Sequence, residues 1–178
     1  MKRIIKYIFL ITLLTTNVFA LEMCKKTKCR SGTTIQIPLN ETSYHPYEIP
    51  VSPLVDSDNR GIIVIPGDNF HVKVIEKKGA ITGLKYSEKK SDIEVMFHKL
   101  NLDKKVTTLL EIKNNMKKSI VYQAFVNSPA TKWLHFHASS CPIGAGKKVF
   151  ENWPFPSGQI LMINVRFAKT DETTCMKY

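Results

Sequence analysis

The chain has 178 residues, of which 43% are hydrophobic and 23% charged, and its formal net charge is +11. This length fits one domain with a complete core, and it excludes the need for a second domain, a metal or a partner to complete that core. The positive charge favours anionic partners such as nucleic acid, acidic polysaccharide, lipopolysaccharide or phospholipid head groups, although lysine pairs in turn-like segments also serve simply to keep a surface soluble.

Residues 1–20 have the pattern of a secretory signal peptide. Lys2 and Arg3 precede an apolar run over 7–14, and Val18 and Ala20 place small residues at the −3 and −1 positions of a cleavage site. The apolar run is shorter than the roughly 20 residues that a membrane-spanning helix needs. The segment therefore predicts an exported protein, periplasmic or secreted, and the style of the signal peptide together with the lysine-rich composition favours a bacterial source.

Four cysteines follow this segment, at Cys24, Cys29, Cys141 and Cys175. An even count in an exported protein predicts two disulfide bonds, for which the sequence allows three connectivities. We favour Cys24 with Cys29 and Cys141 with Cys175, because the first pair is close in sequence and Cys175 lies within reach of the Cys141 loop. A zinc site is disfavoured because Cys141 and Cys175 have no close ligand partner.

Residues 21–60 are rich in Pro, Ser, Thr and Asn, which predicts an irregular N-terminal arm with one strand near 34–37. Over residues 61–178, short runs of β-branched and aromatic residues alternate with polar turns, which predicts a β-sandwich domain. The expected fold class is all-β, an antiparallel immunoglobulin-like β-sandwich of seven to eight strands. The predicted strands are 61–65, 70–76, 93–99, 106–113, 120–126, 132–139 and 159–169.

Alternation along each strand predicts which side chains face the core. In the strand over 132–139 it turns Leu134 and Phe136 inward and leaves Trp133 on the opposite face. The core-facing residues predicted for the other strands are Phe70, Val72, Val74, Ile93, Val95, Phe97, Val106, Leu110, Ile112, Leu161, Ile163, Val165 and Phe167.

Several histidines and one methionine are predicted to point outward from these strands. His135 and His137 are two residues apart on one strand, so both imidazoles could reach one metal ion. If the other strands share the same sheet, imidazole with thioether would suit copper, and imidazole alone would suit zinc or copper. The alternative is an ordinary amphipathic surface. The candidate metal ligands are His135, His137, His71, His98 and Met96.

An aromatic segment bounded by prolines, Trp153-Pro154-Phe155-Pro156, follows the Cys141 loop. Aromatic side chains between prolines form a rigid contact patch, because proline limits the entropy lost on binding. With Trp133 they give a candidate interaction patch of Trp133, Trp153 and Phe155. The alternative is that Trp153 and Phe155 plug the open end of the sandwich.

The segment 108–126 reads as a strand, a polar turn at Asn114-Asn115 and a second strand. It resembles the hairpin of exported bacterial immunoglobulin-like β-sandwich domains and, more loosely, that of periplasmic pilus chaperones. Such chaperones carry a second sandwich domain and a basic site that grips a subunit's C-terminus, and this chain is too short for two domains. The resemblance therefore implies the fold alone.

No Ser-His-Asp order, paired-carboxylate spacing or HExxH helix indicates an enzyme, and no nucleic-acid motif is present. We expect an exported non-enzymatic binding module that contacts a cell-envelope protein or an anionic envelope polymer. The alternative is a periplasmic copper- or zinc-binding protein that uses the strand histidines. An enzyme built from histidines of different strands is a third class, and the oligomeric state is open.

Overall fold

A computed structural model describes residues 24–102 and 105–176, and the predicted signal peptide over 1–20 lies outside these described residues. Within this part of the chain the protein is all-β, with a single turn of 3-10 helix at Pro129–Thr131, and no helix is long and apolar enough to cross a membrane. The strands are β1 (Cys29–Arg30), β2 (Thr33–Pro38), β3 (Tyr44–Ile49), β4 (Ser52–Pro53), β5 (Val55–Asp56), β6 (Gly61–Val64), β7 (Asn69–Lys77), β8 (Ala80–Ser87), β9 (Ile93–Leu102), β10 (Lys105–Asn114), β11 (Ile120–Asn127), β12 (His135–Ala138), β13 (Lys148–Trp153) and β14 (Ile160–Phe167).

Two five-stranded antiparallel sheets form the body of the molecule. Sheet 1 has the strand order β13-β10-β9-β7-β8, and sheet 2 has the order β12-β11-β14-β6-β5. Apolar side chains of both sheets belong to one core cluster, with Val95 and Leu110 from sheet 1 and Ile62, Tyr122 and Met162 from sheet 2. The prediction of an all-β antiparallel fold is confirmed, and the two sheets around one core are consistent with a β-sandwich.

In sheet 1, alternation predicts which side chains of β7, β9 and β10 face the core. All of the side chains predicted to do so are buried. In β14 the alternation runs differently. Met162 is buried whereas Leu161 and Ile163 are half-buried, so the prediction that these two residues face the core was wrong. Asn164 has a positive φ of 54° where the pairing with β11 shifts register, and Val165 beyond it is buried. This irregularity changes the face that each residue presents, as a β-bulge does.

The N-terminal arm over 21–60 is more regular than predicted. β2 pairs with β3 in an antiparallel hairpin, β1 pairs with β4, and β5 joins the edge of sheet 2 beside β6. Pro46 of β3 lies opposite Gln36 of β2. Proline ordinarily interrupts strands, but both strands of a two-stranded hairpin are edges, where a missing N–H costs no ladder hydrogen bond. The prediction of an irregular arm with one strand was therefore wrong about the number of strands in this segment.

Two strands of sheet 1, β8 and β13, have no counterpart among the predicted strands, and both lie at its edges. Gly83 interrupts the hydrophobic alternation of β8. A side chain at this position would be crowded, because a Cβ there would lie 2.9 Å from Ser57 Oγ. β13 alternates correctly, but one of its buried residues is Glu151. The Glu151 carboxylate accepts hydrogen bonds from the Tyr122 hydroxyl (3.0 Å) and the Cys141 N–H (2.9 Å), which compensates its burial.

Asn127, at the C-terminal end of β11, is fully buried and joins three parts of the molecule. Its Oδ1 accepts the N–H groups of Gly158 (2.9 Å) and Gln159 (3.0 Å) and the hydroxyl of Ser157 (3.1 Å). Its Nδ2 donates to the Tyr47 hydroxyl at 2.6 Å, which ties the β2–β3 hairpin to sheet 2. A Cβ on Gly158 would lie 2.8 Å from the Tyr47 ring, so glycine is needed for this close approach.

Asn114 performs the same role at the other end of β11, where the chain turns from β10. Its Nδ2 donates to the carbonyl oxygens of Lys118 (2.9 Å), Ile143 (3.0 Å) and Gly144 (3.2 Å). Its Oδ1 accepts the N–H of Met116 at 3.0 Å. The β10–β11 turn and the loop after Cys141 are therefore held together by one buried amide.

Both disulfide bonds are present in the favoured connectivity, Cys24 with Cys29 and Cys141 with Cys175. The second bond has a sequence separation of 34 and fixes the C-terminal segment to the Cys141 loop. The same segment is held by Glu172, whose carboxylate accepts two hydrogen bonds of 2.6 Å from the Arg166 guanidinium.

Replacing the buried amide by Asn127→Ala leaves several buried donors without acceptors, and we expect a loss of about 2 to 4 kcal/mol in unfolding free energy. Asn152→Ala is the matched control, because Asn152 is exposed on β13 and its loss should stay within about 0.5 kcal/mol. Urea unfolding of both variants measures the difference. Equal losses would contradict the anchoring role of Asn127.

The Arg166 hydrogen bonds, with the N–H of Lys169, lower the pKa of Glu172 from 4.5 to about 2. A lowered pKa in the folded chain means that this contact contributes its full stability above pH 4.5 and loses it as the pH falls through about 2. NMR titration of the Glu172 carboxyl carbon should give this low pKa, and Arg166→Ala should return it towards 4.5. A pKa near 4.5 in the unaltered protein would refute the contact.

Candidate functional site

The five candidate metal ligands do not converge on one surface. His71 lies on β7, and Met96 and His98 lie on β9, all in sheet 1. His135 and His137 lie on β12 of sheet 2. The condition that the strands share a sheet is therefore not met, and the five candidate ligands are divided between the two sheets.

The histidines of the two sheets have different local neighbours. His98 Nε2 lies 3.9 Å from Glu111 Oε2, and the His137 ring stacks on Phe125 with a centroid distance of 4.3 Å. Desolvation lowers the pKa of His135, while a hydrogen bond with Gln159 partly opposes that shift. Within residues 24–102 and 105–176, no three His, Cys, Asp or Glu side chains are grouped to hold a metal ion.

The candidate interaction patch is also divided by the fold. Trp153 is only 6% exposed and belongs to the core, and Phe155 packs against Phe136 with a centroid distance of 5.7 Å. Trp153 is thus buried in the core, and Phe155 is half-buried against it. The assignment of Trp153 to an exposed patch was wrong, because β13 turns Trp153 to its buried face.

Trp133 lies away from both, in the turn that precedes β12. This turn delays the start of β12, so Leu134 falls outside the strand and is 71% exposed, contrary to the inward position predicted for it. The Trp133 ring stacks on His45 at 4.7 Å and contacts Tyr47 at 5.2 Å. Trp133 therefore holds the β2–β3 hairpin against sheet 2 and is occupied by that contact.

The most distinctive surface feature is a groove beside the Cys24–Cys29 disulfide. It has a volume of about 240 Å³ and lies between the disulfide loop and the edge strand β8. We call it the lysine groove, and its lining residues are Lys25, Lys26, Thr27, Lys28, Lys85 and Tyr86.

Local structure holds the loop side of the groove in place. The Cys24–Cys29 bond closes a short ring around three lysines, and Cys29 begins β1, which pairs with β4. The Lys28 carbonyl accepts the N–H of Leu54 at 3.0 Å. The lysines therefore sit on a covalently closed loop with a hydrogen-bonded exit, which limits the conformations that a ligand would have to order.

The residue after the ring, Arg30, fastens it to the body of the protein. Its guanidinium pairs with the Asp68 carboxylate and donates to the Ile63 carbonyl at 3.1 Å. The Asp68 carboxylate also accepts the N–H of Ile65 at 2.8 Å. Burial lowers the pKa of Arg30 and raises that of Asp68, although their mutual attraction opposes both shifts.

The charged side chains that line the lysine groove are all positive. Four lysines line it, and no carboxylate is among its lining residues in the described part of the chain. Lys26, Lys28 and Lys85 form no ion pair with any described residue. These three neighbouring cations, without an ion-pair partner among the described residues, attract anions because each ammonium raises the local potential for the others.

The lining of the groove also includes one hydroxyl group and one aromatic ring. The Thr27 Oγ1 atom is buried and has no hydrogen-bond partner within the described structure. A buried, unpaired hydroxyl is unfavourable in the folded chain. The Tyr86 ring packs on Phe70 at a centroid distance of 6.0 Å, which fixes the β8 wall of the groove.

A second, larger groove of about 460 Å³ is lined by residues of β7 and of the β10–β11 turn. Its lysines differ from those of the lysine groove, because Lys73 pairs with Asp92 at 3.1 Å and Lys118 pairs with Glu76 at 2.7 Å. We call it the turn groove, and its lining residues are Lys73, Val74, Glu76, Asp92, Met116, Lys117, Lys118 and Phe167.

Comparison of the chain with protein-family models, with curated proteins and with solved structures yields no match. The assignment of a function therefore rests on the chemistry of the lysine groove and of the surfaces around it.

Removing the first disulfide with Cys24→Ser and Cys29→Ser should release the disulfide loop over residues 25–28 while leaving the sheets intact. The loss of loop constraint is expected to cost about 2 kcal/mol in unfolding free energy. Hydrogen exchange measured by mass spectrometry should show faster exchange over residues 25–28 and unchanged protection in β9 and β10. The paired control is Cys141→Ser with Cys175→Ser, which should leave residues 25–28 unaffected; unchanged exchange in the first variant would mean that the disulfide does not order the loop.

Proposed function

We infer that this chain is an exported, non-enzymatic binding module that holds an anionic polymer of the cell envelope in the lysine groove. The observation that carries this proposal is the cluster of four lysines on one concave surface without a lining carboxylate. A polymer is favoured over a folded protein partner because the groove offers repeated point charges and few apolar contacts, whereas protein interfaces are centred on apolar and aromatic anchors.

Export is supported by the chemistry of the cysteines. All four form disulfide bonds, which persist in the periplasm and outside the cell and are rare in a reducing cytosol. The pattern over residues 1–20 points the same way. The periplasm or cell surface of a bacterium is therefore the proposed location.

An immunoglobulin-like classification is part of the proposal. Segment 108–126, which resembles a hairpin of exported bacterial immunoglobulin-like domains, forms most of β10, the turn and most of β11. Tyr122 on β11 is buried in the shared core, and burial together with the Glu151 charge raises its pKa well above the ordinary value. The resemblance of this segment supports the proposal that the chain shares the scaffold of such domains.

Binding to heparin, a soluble sulfated polysaccharide, tests the proposed function. Affinity measured by calorimetry at several salt concentrations should fall steeply with added salt, because released counterions supply much of the binding free energy. Lys26→Gln with Lys28→Gln should weaken binding and reduce the slope of log affinity against log salt by about one for each lysine that loses its contact.

The control variant removes two charges elsewhere on the surface. Lys132→Gln with Lys147→Gln changes the net charge equally, and both lysines are exposed and line neither groove. It should retain the affinity of the unaltered protein. Equal weakening in both double variants would show that net charge alone drives binding, and binding that is insensitive to salt would refute the polyanion proposal.

A further inference from the structure

We propose that the bound polymer continues from the lysine groove across β8 and β7 into the turn groove, so that the site reads a run of successive charges and not one anionic group. This inference rests on the proposed function and specifies its ligand as a linear polyanion. The structural basis is one pair of neighbouring lysines, each of which lines one of the two grooves.

Lys85 lines the lysine groove and Lys73 lines the turn groove. The two residues are direct partners in the antiparallel pairing of β7 with β8, and both are exposed. Directly opposed residues in such a pair have Cβ atoms about 4.5 to 5.5 Å apart. The two grooves are therefore joined by neighbouring positive charges.

This juxtaposition is unfavourable in the free protein. Like charges directly opposite one another on a sheet destabilise it. Lys73 has some compensation from Asp92, but that lysine side chain is 61% exposed, and exposed ion pairs contribute little. A polymer charge placed above the pair would replace the repulsion by two attractions.

The turn groove can receive the far end of the polymer. Its carboxylates are already engaged, since Asp92 accepts the Val74 N–H at 2.8 Å and pairs with Lys73, while Glu76 pairs with Lys118. Lys117 is exposed and forms no ion pair with a described residue. Lys117 is thus the charge available to an incoming anion in this groove.

The type of cation also favours a repeated ligand. All the cations of both grooves are lysines. An ammonium is a compact point charge, whereas recognition of one planar anion ordinarily uses the two-pronged guanidinium of arginine. Point charges spread from the disulfide loop to the β10–β11 turn match the successive charges of a flexible chain.

Inorganic polyphosphate of two lengths provides the test. Tripolyphosphate is short enough to occupy the lysine groove alone, and long-chain polyphosphate can follow the whole path. Lys117→Gln should weaken binding of the long chain and lower its salt slope by about one, while leaving tripolyphosphate binding unchanged. Lys26→Gln with Lys28→Gln should weaken binding of both probes.

Each outcome separates the path from the proposed function. Long-chain binding that Lys117→Gln leaves unchanged, or that it weakens no more than Lys132→Gln does, would overturn the path while the lysine groove stands. Absence of binding by either probe, together with no heparin binding, would overturn the proposed function itself. Lys85→Gln adds a ligand-free readout, since relief of the repulsion should raise the Tm of the free protein, and a lowered Tm would contradict the path.

Discussion

The buried ion pair of Arg30 and Asp68 is the interaction on which the position of the lysine groove depends. Their side chains are only 10% and 17% exposed, and burial shifts both pKa values towards the neutral forms. Desolvation of such a pair offsets much of the attraction between its charges, so the pair adds little net stability. Its contribution is geometric: it connects the strand that leaves the disulfide ring to the turn between β6 and β7, and so fixes three lysines against the edge of sheet 1.

Buried amides play the corresponding part for the rest of the molecule. Asn114 and Asn127 lie at opposite ends of β10–β11, and each satisfies backbone groups of a loop that no sheet could pair. An apolar side chain at either place would leave those groups unpaired in the interior. The central strands thus carry both the apolar core and the polar contacts that close its two ends, which gives the surface grooves rigid walls.

Much of this architecture follows from hydrophobic alternation. It predicts the buried faces of β7, β9 and β10 because each of these strands has a solvent face and a core face. It fails at β13, whose buried Glu151 reads as a surface residue, and at β14, where the bulge at Asn164 changes the faces of Leu161 and Ile163. Alternation does not predict the burial of Glu151 or the bulge at Asn164, because each depends on residues that are distant in sequence.

The candidate site was less accessible to sequence reasoning for the same kind of reason. The order Cys-Lys-Lys-Thr-Lys-Cys over 24–29 signals a small ring of positive charge once the disulfide connectivity is accepted. Lys85 could not be assigned to this site from the sequence. The strand that holds it, β8, is not predicted because Gly83 interrupts its alternation. The histidines show the converse error: alternation identifies that His71 and His98 point away from the core, but only the strand order shows that His135 and His137 belong to the opposite sheet.

The place of β8 at the end of sheet 1 gives its lysine a second role. A strand at a sheet edge offers one row of peptide groups to any other extended chain, and lysine side chains there are a common means of discouraging such pairing. Lys85, exposed on this edge and opposed to Lys73, keeps other strands away by the same charge that lines the groove. Resistance to sheet-to-sheet association between copies and attraction for a polyanion are therefore two effects of one row of ammonium groups.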